Sequence, residues 1–361
     1  MSQLEEEIWH RLGQVMDPEL HRPLTELGMV EAVRVRRQEV TVTVKLTIAG
    51  CPLKARIEGD VKAALAGLEG VSAVVVRVTV MSAEERQKLT PELRPLRHSS
   101  VTREGSRVRV LIVGSGKGGV GKSTVAVNLA VALSQLGRTV GLLDADIYGF
   151  SVPRMIGVDR RPVVLSDEMI LPVEAHGIQV ISMGMLVDEA TPVMWRGPML
   201  TKLLEQFMGD VMWGDLDYLV VDSPPGTGDV AITLAQRLHQ AQVVLVTTPQ
   251  AAAAKVAVRV GEMAKKVGQR LLGVVENMSF LRCESCGAES RLFSGDGGKE
   301  LAEALGVPLL GRIPIGAEIS AGGDSGQPVT WTRPDSEAAQ VFAQVARAVE
   351  AAAWEVAAAA P

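Results

Sequence analysis

The chain has 361 residues, 47% of them hydrophobic and 22% charged, an ordinary globular balance that excludes a disordered chain and leaves room for two domains. A net charge of −5 and only 3% aromatic residues offer neither a basic field nor stacking platforms for nucleic acid. No run of about 18 apolar residues reads as a membrane span, no basic–apolar leader opens the chain, and three cysteines are too few for a disulfide framework. A reducing, cytoplasmic setting is expected, with no nucleic-acid or membrane partner.

The first hundred residues have their own texture. Leu4 to Met16 has helical spacing, and Glu39 to Thr47 (E-V-T-V-T-V-K-L-T) alternates as a half-buried strand. Pro52 to Leu68 reads as a second helix and Val71 to Val80 as a further strand. Residues 1–90 are therefore expected to form a small α+β domain. The charged segment 91–105, with Pro91, Pro95 and Ser99–Ser100, is read as a linker.

From residue 106 to 361 strands alternate with helices. Strands are expected at Val108–Val113, Thr139–Leu143, Ile178–Met183, Tyr218–Val221, Gln242–Val246, Leu271–Val275 and near Pro308–Ile313. Helices are expected at Pro198–Met212, Val230–Leu238, Ala251–Val267, Gly297–Leu305 and along the alanine-rich tail Ser336–Ala360. That rhythm predicts an α/β fold, a mostly parallel sheet flanked by helices, with ligands outside the carboxyl ends of its strands.

The first of those ends carries the sharpest signal. Gly114 to Thr124 reads G-S-G-K-G-G-V-G-K-S-T, and Gly116, Gly121, Lys122 and Ser123 satisfy the phosphate-loop pattern. Glycines 116, 118, 119 and 121, with Val120 between, let successive backbone N–H groups turn inward around an anion. Lys122 adds a point charge, the Ser123 hydroxyl suits Mg²⁺, and Ser123 and Thr124 open a helix whose dipole favours phosphate. Lys117 is an additional cation inside the loop.

Two further strand ends carry carboxylates. Asp144 and Asp146 lie in L-L-D-A-D-I-Y-G, and either can activate water; aspartates there also cap helices. Asp222 ends Y-L-V-V-D-S-P-P-G and is the expected partner of Mg²⁺. Gly226 follows, where a free N–H would detect a terminal phosphate.

Cys283-Glu284-Ser285-Cys286 supplies two thiolates, enough for one edge of a four-ligand site. The chain has no second C-x-x-C. A two-fold dimer duplicates every residue near its axis, so the spacing predicts a shared four-cysteine site. Zinc, an iron–sulfur cluster and a redox dithiol all fit that spacing. His176 and His239 lack partners at useful spacing and are read as packing or surface residues.

These segments resemble a known family. Lys117 within G-K-G-G-V-G-K-S-T, D-A-D-I-Y-G and V-V-D-S-P-P-G-T-G-D look like the deviant-Walker P-loop NTPases that include MinD, ParA and the nitrogenase iron protein. D-A-D-I-Y-G-F-S-V-P (Asp144 to Pro153), P-V-M-W-R-G-P-M (Pro192 to Met199), E-N-M-S (Glu276 to Ser279) and C-E-S-C are similar to the Mrp/ApbC-type iron–sulfur carrier group within it. The resemblance covers roughly residues 105 to 350. It implies a homodimer that binds ATP and Mg²⁺, hydrolyses ATP slowly, holds a labile [4Fe–4S] cluster at Cys283 and Cys286 and passes it to apoproteins, alongside other assembly factors. It further implies that Lys117 reaches the partner subunit's nucleotide, that Asp146 rather than Asp144 orients water, and that Asn277 contacts an adenine base. Asp17-Pro18-Glu19-Leu20 and T-I-A-G-C-P (Thr47 to Pro52) resemble the SufT-like domain of iron–sulfur assembly factors, with Cys51 a candidate transient ligand. A MinD- or ParA-like positioning ATPase and a zinc-stapled scaffold are the alternatives. Against the first, the tail from Ser336 carries Arg347 as its sole basic residue.

Overall fold

The structure is a computed structural model and describes residues 3–18, 22–47, 53–82, 84–86, 101, 106–146, 149–166, 169–186, 197–238, 240–283 and 285–359. Cys51 with Pro52, the linker apart from Val101, Ile147–Tyr148, Pro192–Arg196, His239 and Glu284 lie outside the described residues. The chain divides into two units, one of Met1–Leu96 with Val163–Leu171 and one of Arg97–Pro162 with Pro172–Pro361.

In the first unit the order is α1 (Gln3–Leu12), β1 (Val30–Arg36), β2 (Glu39–Leu46), α2 (Lys54–Leu65) and β3 (Ala73–Val80). The three strands form one sheet in the order β1-β2-β3, antiparallel then parallel. The alternation of β2 has the expected consequence: Val40, Val42, Val44 and Leu46 are buried while Glu39, Thr41, Thr43 and Lys45 are not. Ile8 and Leu12 of α1, and Ile57, Val61 and Leu65 of α2, are the helices' buried residues. Strand β1 has no counterpart among the expected elements. Its V-E-A-V-R-V-R pattern slips phase at a register shift between Val30 and Ala32, which hides the period of two. A short hairpin, β6 (Val163–Ser166) and β7 (Met169–Leu171), groups with this unit although it lies within the sequence's α/β run.

The second unit is built on β4 (Arg109–Ser115), α3 (Lys122–Gln135), β5 (Val140–Asp144), α4 (Val152–Met155), β8 (Val173–Ala175), β9 (Ile178–Ser182), α5 (Gly197–Gly209), β10 (Tyr218–Asp222), α6 (Asp229–Arg237), β11 (Gln242–Thr247), α7 (Ala251–Lys266), β12 (Arg270–Glu276), β13 (Leu281–Arg282), β14 (Glu289–Ser290), α8 (Gly297–Leu305), β15 (Leu309–Arg312), α9 (Ala317–Ser325), α10 (Val329–Thr332) and α11 (Glu337–Ala359). Eight strands form a sheet ordered β15-β12-β11-β4-β10-β5-β9-β8, parallel throughout except at the β8–β9 edge. This is the expected mostly parallel sheet. The antiparallel edge was missed because β8 is three residues long and offers no period to read.

The central strands are apolar on both faces, which only a double layer of helices can satisfy. Every residue of β5 and β10 is buried. Helix α3 buries ten of its residues and packs with Phe342, Val345 and Val349 of α11 in a core that includes Leu111, Val113, Leu142 and Val220. Strand β4 runs between β10 and β11, so its carboxyl end, where the phosphate loop begins, opens at the middle of the sheet.

Candidate functional site

Residues Gly116–Gly121 link the buried end of β4 to α3. Gly119 and Gly121 have φ of 78°, a left-handed backbone that a side chain would strain, and Gly121 is the residue immediately before the first turn of α3. Gly116 is required for a different reason: a Cβ there would lie 2.3 Å from the backbone nitrogen of Ala257 in α7. The loop borders a cleft of about 470 Å³, lined among others by Lys117, Gly119, Lys122, Ser123, Thr124 and Asp146. Gly149, Ser151, Met155 and Pro225 also line it and were not singled out from the sequence. Gly149, Ser151 and Pro225 stand in the quoted D-A-D-I-Y-G-F-S and Y-L-V-V-D-S-P-P-G segments, so their signal was present; Met155 reaches the cleft only through the fold.

The charges form one buried set. Lys122 is 6% exposed, and its Nζ donates to Asp222 Oδ1 at 2.5 Å, with Ser123 Oγ at 3.4 Å and Asp146 Oδ2 at 3.9 Å. The parallel register places Asp222 opposite Asp144 on β5. Asp144 accepts from the Ser182 hydroxyl at 2.8 Å and from the Asp146 backbone N–H at 3.2 Å. Burial, together with the Asp222 charge beside it, pushes the Asp144 carboxyl up to about 7. Burial also raises Asp222, with Lys122 opposing the shift. Asp222 Oδ2 is buried without a hydrogen-bond partner. An orphaned carboxylate oxygen near the Ser123 hydroxyl is the donor chemistry that suits Mg²⁺.

Three expected site residues are engaged in ways the sequence did not announce. The Gly226 amide, expected to be free, donates to the Ser115 carbonyl at 2.8 Å. Lys117 is exposed, and its Nζ reaches Gln250 Oε1 of the same chain at 3.5 Å. Asn277 is 4% exposed, and its side-chain amide donates to the Val120 carbonyl of the phosphate loop at 2.9 Å. Its role in holding that loop has no signature in the motif itself.

Cys283 and Cys286 are exposed on the turn between β13 and β14. The Gly287 N–H donates to the Cys283 carbonyl at 2.8 Å, and the Cys283 N–H to the Ala288 carbonyl at 2.9 Å. The backbone N–H groups of Cys286 and Ser285 point at the Cys283 sulfur and hold its thiol below the usual range. Arg282 anchors the ribbon, donating to Glu337 at the start of α11 through Nε (2.6 Å) and Nη2 (2.5 Å). Among the described residues no group of three or more His, Cys, Asp or Glu could hold a metal ion, so the pair is not completed within one chain's described residues. His176 is a packing residue, its Nε2 lying 3.0 Å from both the Ile156 and Gly326 carbonyls.

A phosphate loop at the carboxyl end of the central parallel strand, with aspartates at the ends of β5 and β10, defines a P-loop NTPase with the MinD/ParA-like arrangement. Residues 107–350 match the family described as NUBPL iron-transfer P-loop NTPase, and residues 5–78 match an iron–sulfur cluster assembly protein family. The chain belongs to the iron–sulfur cluster carrier family of P-loop NTPases, with an amino-terminal iron–sulfur cluster assembly domain. An iron–sulfur cluster carrier protein of Mycobacterium leprae is 48% identical over 345 residues, covering 93% of this chain and 90% of its own. One of Bacillus subtilis is 42% identical over 323 residues, covering 86% and 88%. A solved nucleotide-binding protein of Archaeoglobus fulgidus, in complex with ADP, is 35% identical with a TM-score of 0.55 over 64% of this chain and 91% of its own. The septum site-determining protein MinD of Pyrococcus horikoshii, complexed with Mg-ADP, is 26% identical with a TM-score of 0.51 over 68% and 97%. No helix among the described residues is long and apolar enough to cross a membrane.

Proposed function

We propose that two copies of this chain share one labile [4Fe–4S] cluster, held by Cys283 and Cys286 of each, and that they pass it to apoproteins under the control of bound ATP. The observation that carries the reading is the cysteine turn: two exposed thiols, one of them held below its usual range by backbone N–H groups, with no further ligand beside them among the described residues. A labile cargo needs such an edge, open to a second copy on arrival and to a recipient on departure. The names of the relatives at 42–48% identity favour iron–sulfur cargo over zinc.

In the cleft, the inward N–H groups of Gly116–Gly121 and the amino end of α3 take the phosphates, with Lys122 against them. Ser123 and Asp222 would hold Mg²⁺, which neutralises phosphate charge. Asp146 lines the cleft and is the better candidate to orient the attacking water, because Asp144 is fully buried and its oxygens are engaged by Ser182 and the Asp146 amide. Lys117, exposed at the rim, is free to swing from Gln250 toward a partner subunit's nucleotide. Asn277 remains the candidate contact for adenine. Hydrolysis is slow in this reading, since each chain lacks the cation that its partner provides.

Anaerobic reconstitution with iron and sulfide, followed by absorption spectroscopy and metal analysis, tests the proposal. About four irons per dimer, lost in a Cys283→Ala/Cys286→Ala double variant that still binds ATP, is the expected result. Bound zinc with no uptake of iron would overturn it.

A further inference from the structure

One short segment joins the phosphate loop to the cysteine turn. Asn277 follows β12 directly; its backbone N–H donates to the Thr247 carbonyl at 2.8 Å while its side chain holds the Val120 carbonyl. The fit has no slack, because a Cβ on Gly121 would stand 2.1 Å from Asn277 Nδ2. Val120 sits between Gly119 and Gly121, both in the left-handed region, and its carbonyl is the loop atom that Asn277 holds.

The next residue is Met278, whose φ of 56° places an unbranched side chain in the left-handed region. Beyond it the chain is clamped again. The Ser279 N–H donates to the Ile313 carbonyl at 2.9 Å, and its hydroxyl to Glu276 Oε1 at 2.6 Å. The Phe280 carbonyl accepts from the Ile315 N–H at 2.7 Å, and Leu281 bridges to Ile315. Cys283 follows two residues later. A displacement of Asn277 therefore meets one strained residue and then a hydrogen-bonded segment that ends in the thiols.

We propose that Asn277 is a positioning residue that ties the Val120 carbonyl of the phosphate loop, through Met278 and Ser279, to the Cys283–Cys286 turn, so that nucleotide occupancy sets the accessibility of the two thiols. The proposal rests on reading the cleft as the nucleotide site and the thiols as the cargo grip. It adds the wire between them. The left-handed backbone at Met278 persists only while its flanking anchors hold it, so moving either anchor would release it.

The test needs no iron, which separates it from a failure of the cluster assignment. The full chain, cluster-free and anaerobic, is treated with iodoacetamide with no nucleotide, with Mg-ADP and with Mg-ATP, and alkylation of each cysteine is followed by mass spectrometry. A peptide without cysteine from the same digest serves as the internal reference, and calorimetry on the same samples gives nucleotide occupancy. In the wild type, the alkylation rate at Cys283 changes by about fivefold or more on nucleotide binding. In Met278→Gly, which removes the strain, and in Asn277→Ala, which removes the tie, that change falls below about twofold at saturating nucleotide. A wild type that binds nucleotide with unchanged alkylation overturns the proposal. So does a full wild-type response in both variants, which would place the coupling in the dimer contact instead. Merely structural damage would alter Cys283 reactivity in the absence of nucleotide; loss confined to the nucleotide response marks positioning.

Discussion

Lys122 balances two carboxylates that would otherwise repel each other across adjacent strands. Asp144 and Asp222 are both 0% exposed and paired in register, and Lys122 is the cation that touches Asp222. Truncation to Lys122→Ala strands Asp222 and removes a phosphate contact; ADP affinity should fall by about 30-fold or more, about 2 kcal/mol, by calorimetry. Asp144 gives a pH signature of definite sign. Its ordinary value is 3.8 and its folded value about 7, so between those limits the folded chain binds more protons than the unfolded one. Stability from this group is therefore present at low pH and is lost as pH rises from about 4 to about 7, at no more than about 1.4 kcal/mol per pH unit, then levels off. Asp144→Asn removes that slope: in urea unfolding at pH 5, 6 and 8, the variant should gain on the wild type as pH rises. A parallel offset at all three would show that the Asp144 carboxyl is ionised throughout.

At the scale of elements, two contacts fix the phosphate loop from outside. Helix α7 presses against Gly116, and Asn277, at the end of β12, holds Val120. Gly116→Ala cannot be absorbed by a flexible side chain, because the atoms it meets are backbone. It should lower unfolding stability by about 1–3 kcal/mol, read as a shift of the urea midpoint at constant slope. The β13–β14 ribbon behaves oppositely. Its residues are exposed, and its anchor to Glu337 is a surface ion pair of small worth. Cys283→Ser with Cys286→Ser should change stability by less than about 0.5 kcal/mol in the same assay while removing the proposed metal grip.

At the scale of the whole molecule, the prediction concerns sharing. On the proposed dimer, co-expression of the wild type with an excess of the Cys283→Ser/Cys286→Ser variant should trap wild-type chains in mixed dimers that hold two thiols instead of four. Iron per wild-type chain should fall as the variant is raised. An unchanged ratio would mean that each chain fills its own site.

Much of this was legible in the chain. The phosphate loop, the aspartates after the strands and the C-x-x-C pair all announce themselves because each chemistry needs fixed residue types at fixed local spacing. The parallel sheet was legible for a related reason, since strands buried on both faces are apolar without alternation. Strand β1, the β6–β7 hairpin and the β8 edge were not, because a bulge or a length of three or four residues leaves no period to detect. Likewise, no local pattern says that the Gly226 amide lies on Ser115, that Lys117 rests on Gln250, or that Gly116 is a packing glycine.

The sequence by itself determined the chemistry on offer: a nucleotide loop with an extra lysine, and two thiols at C-x-x-C spacing. Only the tertiary structure decided which aspartate faces the cleft, what holds the loop, and that one strained residue separates the loop's brace from the segment leading to the cysteines. Those contacts join residues far apart in the chain, such as Val120 to Asn277 and Ser115 to Gly226. They are set by how strands and helices pack, and local spacing carries no record of that packing.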